Sequence, residues 1–145
     1  MSEIKTEIII KANHMKVWGI LSDFKNYSAW NNFLSNVSGN LIEGERLKVT
    51  ISPPGGKPMT FFPALLTIKQ GNELRWRGKF ICRFLFQGEH YFILEYLSED
   101  GTKLIHGERF SGALTFIFNL FGMQKKTLKG FQMFNEALKK KIENV

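Results

Sequence analysis

Two histidines and one glutamate on neighbouring predicted strands are the residues whose types and spacing could do chemistry. His90 lies in one alternating run of apolar residues, and His106 and Glu108 lie in the next such run. Successive side chains of a strand point to opposite faces, so His106 and Glu108 share a face. Phe92 and Phe110 alternate in phase with them. We therefore predict that the three polar side chains, called the trio below, face the protein interior together.

A carboxyl group beside two imidazoles in an apolar interior supports several interpretations, which the sequence leaves open. The trio could be a structural cluster, hydrogen-bonded to itself and to backbone. It could orient the polar end of a mostly apolar guest. Glu108 and a histidine could act as acid and base, because desolvation moves the proton affinity of a carboxyl group toward neutrality. A zinc site is a fourth interpretation, but the residues lack a signature spacing.

The predicted site combines the trio with aromatic residues that share its faces. The candidates for catalysis are Glu108, His106 and His90. The residues predicted to line a binding site are Trp76, His90, Phe92, His106, Glu108, Phe110, Phe131 and Phe134. The sequence carries no nucleophile motif, phosphate-binding glycine loop or nucleotide fingerprint, so we predict neither a cofactor nor a resident metal.

We predict a long helix from Met123 to Val145, against which the strands that carry the trio must pack. At 100° per residue its apolar side chains fall within an arc of about 120°. They are Leu128, Phe131, Phe134, Leu138 and Ile142. The sequence predicts no second long helix to receive this apolar face, so its partner must be a sheet. That pairing indicates an α+β fold.

The preceding elements supply the sheet. Residues 3–11 are predicted to form a strand, and Asn13 can cap a first short helix. A second short helix is predicted around Tyr27 and Trp30. Alternating runs separated by short turns follow, which is typical of an antiparallel sheet. We predict one domain over residues 1–145, with a curved antiparallel sheet of six to seven strands wrapped around the C-terminal helix.

Several stretches of the sequence carry a family resemblance that extends from about Ile4 to Ile142. They are Val17 to Asp23, Tyr27 to Phe33, Leu74 to Gly78, Gly88 to Phe92, and Gly101-Thr102 with His106 to Gly112. With the order of elements, these stretches resemble the START-like helix-grip (SRPBCC) superfamily, which includes polyketide cyclase and dehydrase-like proteins. Asn32 stands where the family commonly has proline.

The resemblance implies an internal apolar cavity between the sheet and the last helix. A hydrophobic small molecule or lipid is the partner that such a cavity implies. The superfamily also includes cyclase or dehydratase enzymes and chaperone activators. An enzyme that uses Glu108 with a histidine, and a module that binds a protein partner, are therefore the two alternatives.

Two loops, residues 79–87 and 113–122, are apolar where loops are usually polar. We predict that they fold back and cap the cavity. The alternative is an exposed apolar rim that makes transient contact with an anionic membrane surface or docks on a partner. The basic residues that would flank this rim are Lys79, Arg83, Lys125 and Lys126.

Charge and cysteine content restrict the remaining function classes. The formal net charge of +7 suggests an anionic partner. The basic residues are scattered, however, and form no arginine-rich cluster, so we predict no nucleic-acid binding. Cys82 is the single cysteine, which excludes an intrachain disulfide framework. No apolar signal segment or membrane-length run is present, so we expect a cytoplasmic protein. The oligomeric state stays open.

Overall fold

The structure is a computed structural model that describes residues 2–79, 86–113, 115–116 and 122–144. Its elements in chain order are β1 (Ser2–Ile10), α1 (His14–Leu21), a 3-10 turn (Phe24–Asn26), α2 (Tyr27–Trp30), β2 (Leu34–Ser38), β3 (Lys48–Ile51), β4 (Met59–Phe61), β5 (Ala64–Lys69), β6 (Glu73–Lys79), β7 (Gln87–Ser98), β8 (Gly101–Ser111) and α3 (Met123–Glu143).

The described strands form two antiparallel sheets. One has five strands in the order β1-β8-β7-β6-β5, and the other has three in the order β2-β3-β4. The predicted α+β architecture is confirmed, although the strands number eight and divide between two sheets. The division falls at Pro63, between β4 and β5. Proline has no backbone N–H to donate to a neighbouring strand, which favours a break in strand pairing at that position.

The two short helices follow β1 as predicted. The Asn13 side chain accepts a hydrogen bond from the backbone N–H of Met15 and so caps α1. Asn31 is buried just after α2, where its side-chain oxygen accepts from the backbone N–H groups of Phe33 (3.0 Å) and Leu34 (2.8 Å). These bonds turn the chain from α2 into β2.

Helix α3 packs its apolar face against the inner face of the larger sheet. Phe131, Phe134, Leu138 and Ile142 are all buried. Leu128, predicted on the same face, is 36% exposed, so the buried part of the face begins one turn later than predicted. The first turns of α3 are exposed as a whole, since residues 123–126, 128 and 129 all lie outside the buried core.

The outer face of the larger sheet is charged and separate from the site. Arg75 and Arg77 both bind the Glu89 carboxylate, at 3.2 and 3.4 Å. The Arg75 guanidinium lies 4.8 Å from the centre of the Tyr91 ring, and the Tyr91 hydroxyl donates to Glu3 at 2.8 Å. Side-chain alternation in β6 and β7 therefore places these charged groups on one face and Trp76 and Phe92 on the other.

Candidate functional site

Strand register brings the trio together on the inner face of the larger sheet. In the β7–β8 pair, His90 lies opposite Glu108 and Phe92 lies opposite His106. All three members of the trio are buried. Their role in binding or catalysis stays a prediction, but the structure supplies the proximity that such a role requires.

A chain of polar contacts runs from Glu108 into the core. Glu108 Oε1 lies 3.6 Å from His90 Nδ1, and His90 Nε2 lies 2.7 Å from His106 Nε2. His106 Nδ1 lies 2.8 Å from Asn135 Oδ1. Asn135 Nδ2 donates to Thr6 Oγ1 at 2.8 Å, and the Thr6 hydroxyl donates to the His106 carbonyl oxygen at 2.7 Å. The chain thus links two strands of the sheet to α3 and to β1.

Burial keeps this polar chain uncharged near neutral pH. Desolvation lowers the pKa of His90 to about 3. Desolvation and the neighbouring His90 ring lower the pKa of His106 well below its usual value, against a smaller opposite effect of the Asn135 hydrogen bond. Desolvation also raises the pKa of Glu108 to about 8. At pH 7 the trio therefore consists of two neutral imidazoles and a largely protonated carboxylic acid.

Aromatic rings pack around the two imidazoles. The His106 ring lies between Phe92 and Phe131, with ring centres 4.5 and 4.2 Å away. Trp76 stacks on His90 at 5.0 Å, with the two rings only 19° from parallel. Phe134 packs against His106 at 5.1 Å. Six of the eight residues predicted to line a cavity thus contact one another as a packed layer.

Glu108 and Phe110, both on β8, lie at the edge of this aromatic layer. The side chain of Glu108 is 11% exposed and that of His90 is 2% exposed, so the polar chain is most accessible at its Glu108 end. Phe86 stacks on Phe110 at 5.6 Å and is buried. The exposed Leu128 lies one helical turn before Phe131 on α3. The acid is therefore followed on its strand by buried aromatic rings, and the exposed apolar side chain is that of Leu128 on α3.

The two apolar loops lie mostly outside the described residues, which exclude 80–85, 114 and 117–121. Within the described part, Phe86 is buried against Phe110, whereas Phe116 is exposed. Whether loops 79–87 and 113–122 cap the cavity or form an exposed rim stays a prediction.

Asn135 and Thr6 belong to the site but were not among the predicted residues. A signal for each was present in the sequence. Asn135 follows Phe131 by four residues and precedes Leu138 by three, which places it on the apolar face of the helix. Thr6 alternates with the apolar residues of β1 that face inward. A polar residue in phase with an apolar pattern marks a candidate member of a buried hydrogen-bond network.

Neither a metal centre nor a membrane span is found in the part of the chain that the structure describes. No group of three or more histidine, cysteine, aspartate or glutamate residues there could hold a metal ion. The Nε2 atoms of His90 and His106 face each other at 2.7 Å, which leaves no space for an ion between them. None of the described helices is long and apolar enough to cross a membrane.

A shallow groove of about 700 Å³ lies on the side of α3 that faces away from the sheet. Trp30, Met133 and Ala137 give it an apolar floor, and the other lining residues are Lys129, Gln132, Glu136, Lys140 and Lys141. This groove is not the predicted cavity, which was expected between the sheet and the helix.

Comparison with known proteins identifies the fold and a family. Residues 1–143 match the family described as polyketide cyclase / dehydrase and lipid transport. The chain is similar to a START superfamily protein from Mycobacterium smegmatis, with 18% identity and a TM-score of 0.75 over 98% of this chain and 97% of that one. It is also similar to the Zhui aromatase/cyclase from Streptomyces sp. R1128, with 11% identity and a TM-score of 0.80 over 99% and 94%.

At these identities the structural similarity establishes the fold alone, and it confirms the START-like prediction. No curated protein sequence matches the chain significantly.

Proposed function

Because the chain belongs to the polyketide cyclase, dehydrase and lipid transport family, we propose that it binds a hydrophobic small molecule or lipid between the larger sheet and α3. The observation that carries the proposal is the polar chain that ends at Glu108. An uncharged acid at the edge of an aromatic layer, with its side chain 11% exposed, suits the polar end of a mostly apolar guest.

The apolar residues of both elements support the same proposal. Phe110 and Trp76 share the Glu108 face of the sheet, where both are buried. Leu128 continues the apolar face of α3 beyond the packed core and stays exposed. Covering apolar surface with a guest is favourable by about 25 cal/mol per Å². The guest would therefore lie against the first turns of α3, with its polar end at Glu108.

A pair of substitutions on α3 tests where the guest lies. Leu128→Asp places a charge on the apolar face, whereas Met133→Asp places the same charge on the outward face at a similarly exposed position, 42% against 36%. Neither substitution removes a buried side chain, so both variants should fold. We expect Leu128→Asp to weaken the binding of an environment-sensitive apolar dye at least tenfold and Met133→Asp to leave it unchanged.

Equal binding of the dye by both variants would contradict the proposed location. Native mass spectrometry of the purified protein provides the companion measurement, and we expect it to detect a co-purifying apolar molecule that Leu128→Asp reduces and Met133→Asp retains.

A second candidate function is an enzyme of the cyclase or dehydratase kind. The observation that favours it is the pKa of Glu108, which burial raises to about 8, with His90 Nδ1 only 3.6 Å away. An acid–base group works best when its pKa lies near the working pH. On this hypothesis Glu108 exchanges a proton with the guest, and the polar chain holds it in place.

Glu108→Gln separates the enzyme from the binding protein. Glutamine keeps the shape of the side chain but cannot exchange a proton. If the protein converts the linear precursor of an aromatic polyketide, we expect the variant to bind this precursor and to lose turnover by about 10²–10⁴-fold. Unchanged turnover would exclude Glu108 as the acid or base. Glu89→Gln, on the outer face, is the matched control.

A further inference from the structure

The hydrogen positions in the polar chain are determined by its first member, Thr6. Its Oγ1 lies 2.7 Å from the carbonyl oxygen of His106, and a carbonyl oxygen carries no hydrogen. The hydroxyl hydrogen of Thr6 must therefore lie between these two oxygens. With its hydrogen used, Thr6 Oγ1 can only accept from Asn135 at 2.8 Å, which turns the amide nitrogen of Asn135 toward Thr6. The amide oxygen of Asn135 then faces His106.

The orientation of Asn135 sets the tautomers of both histidines. His106 Nδ1 lies 2.8 Å from the Asn135 oxygen, which only accepts, so His106 carries its hydrogen on Nδ1. A neutral imidazole has one N–H, so His106 Nε2 is an acceptor. The single hydrogen between the two facing Nε2 atoms, 2.7 Å apart, therefore belongs to His90. His90 Nδ1 is left as an unprotonated nitrogen that points to Glu108.

The hydrogen-bonding groups at the Glu108 end of the chain follow from these tautomers. His90 Nδ1 offers a lone pair, and Glu108 Oε1 lies 3.6 Å from it, which is too long for a direct hydrogen bond. Among the described residues, the buried polar groups include no lysine or arginine. Burial raises the pKa of Glu108 to about 8, so this group is a donor at neutral pH. Within the part of the chain that the structure describes, the site thus presents one acceptor and one donor and no buried cation.

We propose that Thr6 and Asn135 are positioning residues that set the tautomers of His106 and His90, so that the site selects a guest with an uncharged hydroxyl group over one with a carboxylate. A hydroxyl donates to His90 Nδ1 and accepts from the Glu108 acid. A carboxylate has no hydrogen for His90 and brings a charge that no buried lysine or arginine of the described residues balances. This inference rests on the proposed binding function and names the class of guest.

Nitrogen-15 NMR of the imidazole groups tests the positioning role without any guest. In the wild-type protein we expect the Nδ1–H tautomer for His106 and the Nε2–H tautomer for His90. Thr6→Ser keeps the hydroxyl and should keep both tautomers. Thr6→Val keeps the shape but removes the hydroxyl. The Asn135 amide can then rotate by half a turn, which exchanges the positions of its oxygen and nitrogen. We expect mixed or reversed tautomers in that variant.

The opposite tautomers in the wild-type protein would overturn the positioning role, and so would a Thr6→Val spectrum identical to that of the wild type. The wild-type spectrum alone can overturn it, so the test does not depend on the stability of a variant.

A pair of guests with the same ring system tests the selectivity. We expect 2-naphthol to bind about tenfold more tightly than 2-naphthoate at pH 7, which is the effect of about one hydrogen bond. Thr6→Ser should retain this preference and Thr6→Val should reduce it. Equal or tighter binding of 2-naphthoate would overturn the selectivity.

The two measurements separate the inference from the proposed function. If neither guest binds while the wild-type tautomers are as expected, the proposed binding and its selectivity fail, and the positioning role of Thr6 and Asn135 stands. If both guests bind but the tautomers are reversed, the positioning role fails and the proposed binding stands.

Discussion

The Glu108 carboxyl group sets the charge state of the whole site. Its pKa is raised by desolvation. The folded protein therefore keeps a proton on Glu108 up to a pH of about 8, whereas the unfolded chain loses it near the ordinary value of 4.5. Because the folded state binds more protons in that interval, Glu108 makes folding less favourable as the pH rises.

The histidines have the opposite effect at lower pH. Burial lowers the pKa of His90 to about 3 and that of His106 in the same direction, from an ordinary value of 6.5. Below pH 6.5 the two histidines bind protons in the unfolded chain but stay neutral in the folded state. The free energy of unfolding therefore rises with pH up to about 6.5. The free energy of unfolding should therefore have a maximum near pH 6.5.

Glu108→Gln tests this account of the pH dependence. Between pH 6.5 and 8 we expect the free energy of unfolding of the wild-type protein to fall, by up to about 1.4 kcal/mol per pH unit. The fall should disappear in Glu108→Gln, which cannot ionise, and remain in the outer-face control Glu89→Gln. Denaturant titrations at several pH values measure it. Parallel profiles for the wild type and Glu108→Gln would show that Glu108 is not held protonated.

At the scale of elements, the distance between α3 and the residues after α2 depends on one glycine. Gly130 is buried, and a Cβ atom placed there would lie 2.2 Å from the Phe33 ring. Phe33 also packs against Phe131 at 5.7 Å. The absence of a side chain at Gly130 therefore allows the close approach that brings Phe131 over His106.

Gly130→Ala should destabilise the protein by about 1–3 kcal/mol, because the added methyl group overlaps a buried ring. We expect this loss of stability even though alanine stabilises a helix by about 1 kcal/mol relative to glycine. Gly19→Ala in α1 is the matched control, since its added Cβ meets no atom within 4 Å. Denaturant unfolding measures both. If Gly130→Ala proved as stable as the control, the close contact of α3 with Phe33 would be wrong.

At the scale of the whole molecule, local periodicity accounts for what the sequence predicted. Alternation along β7 and β8 placed His90, His106 and Glu108 on one face, and helical spacing placed Phe131 and Phe134 on the face that meets them. Two features depended on more than periodicity. Pro63 divides the strands into two sheets, and Leu128 lies beyond the packed core although it continues the apolar pattern.

The hydrogen-bond partners in the site could not be read from periodicity. Asn135 and Thr6 are 129 residues apart in the chain, and Asn135 bonds His106 from a different element. Periodicity assigns each residue to a face of its own element, but it does not say which polar atoms of two elements meet. The tautomers that follow from these contacts require the three-dimensional arrangement.

A crystal structure of the protein with bound 2-naphthol tests the central claim most directly. We predict the ring system between the larger sheet and α3, against Phe110 and Leu128, with its hydroxyl oxygen about 2.7–3.0 Å from both His90 Nδ1 and a Glu108 oxygen. The guest lying instead in the outer groove beside Trp30 and Met133, with the space at Glu108 closed by protein side chains, would contradict the account.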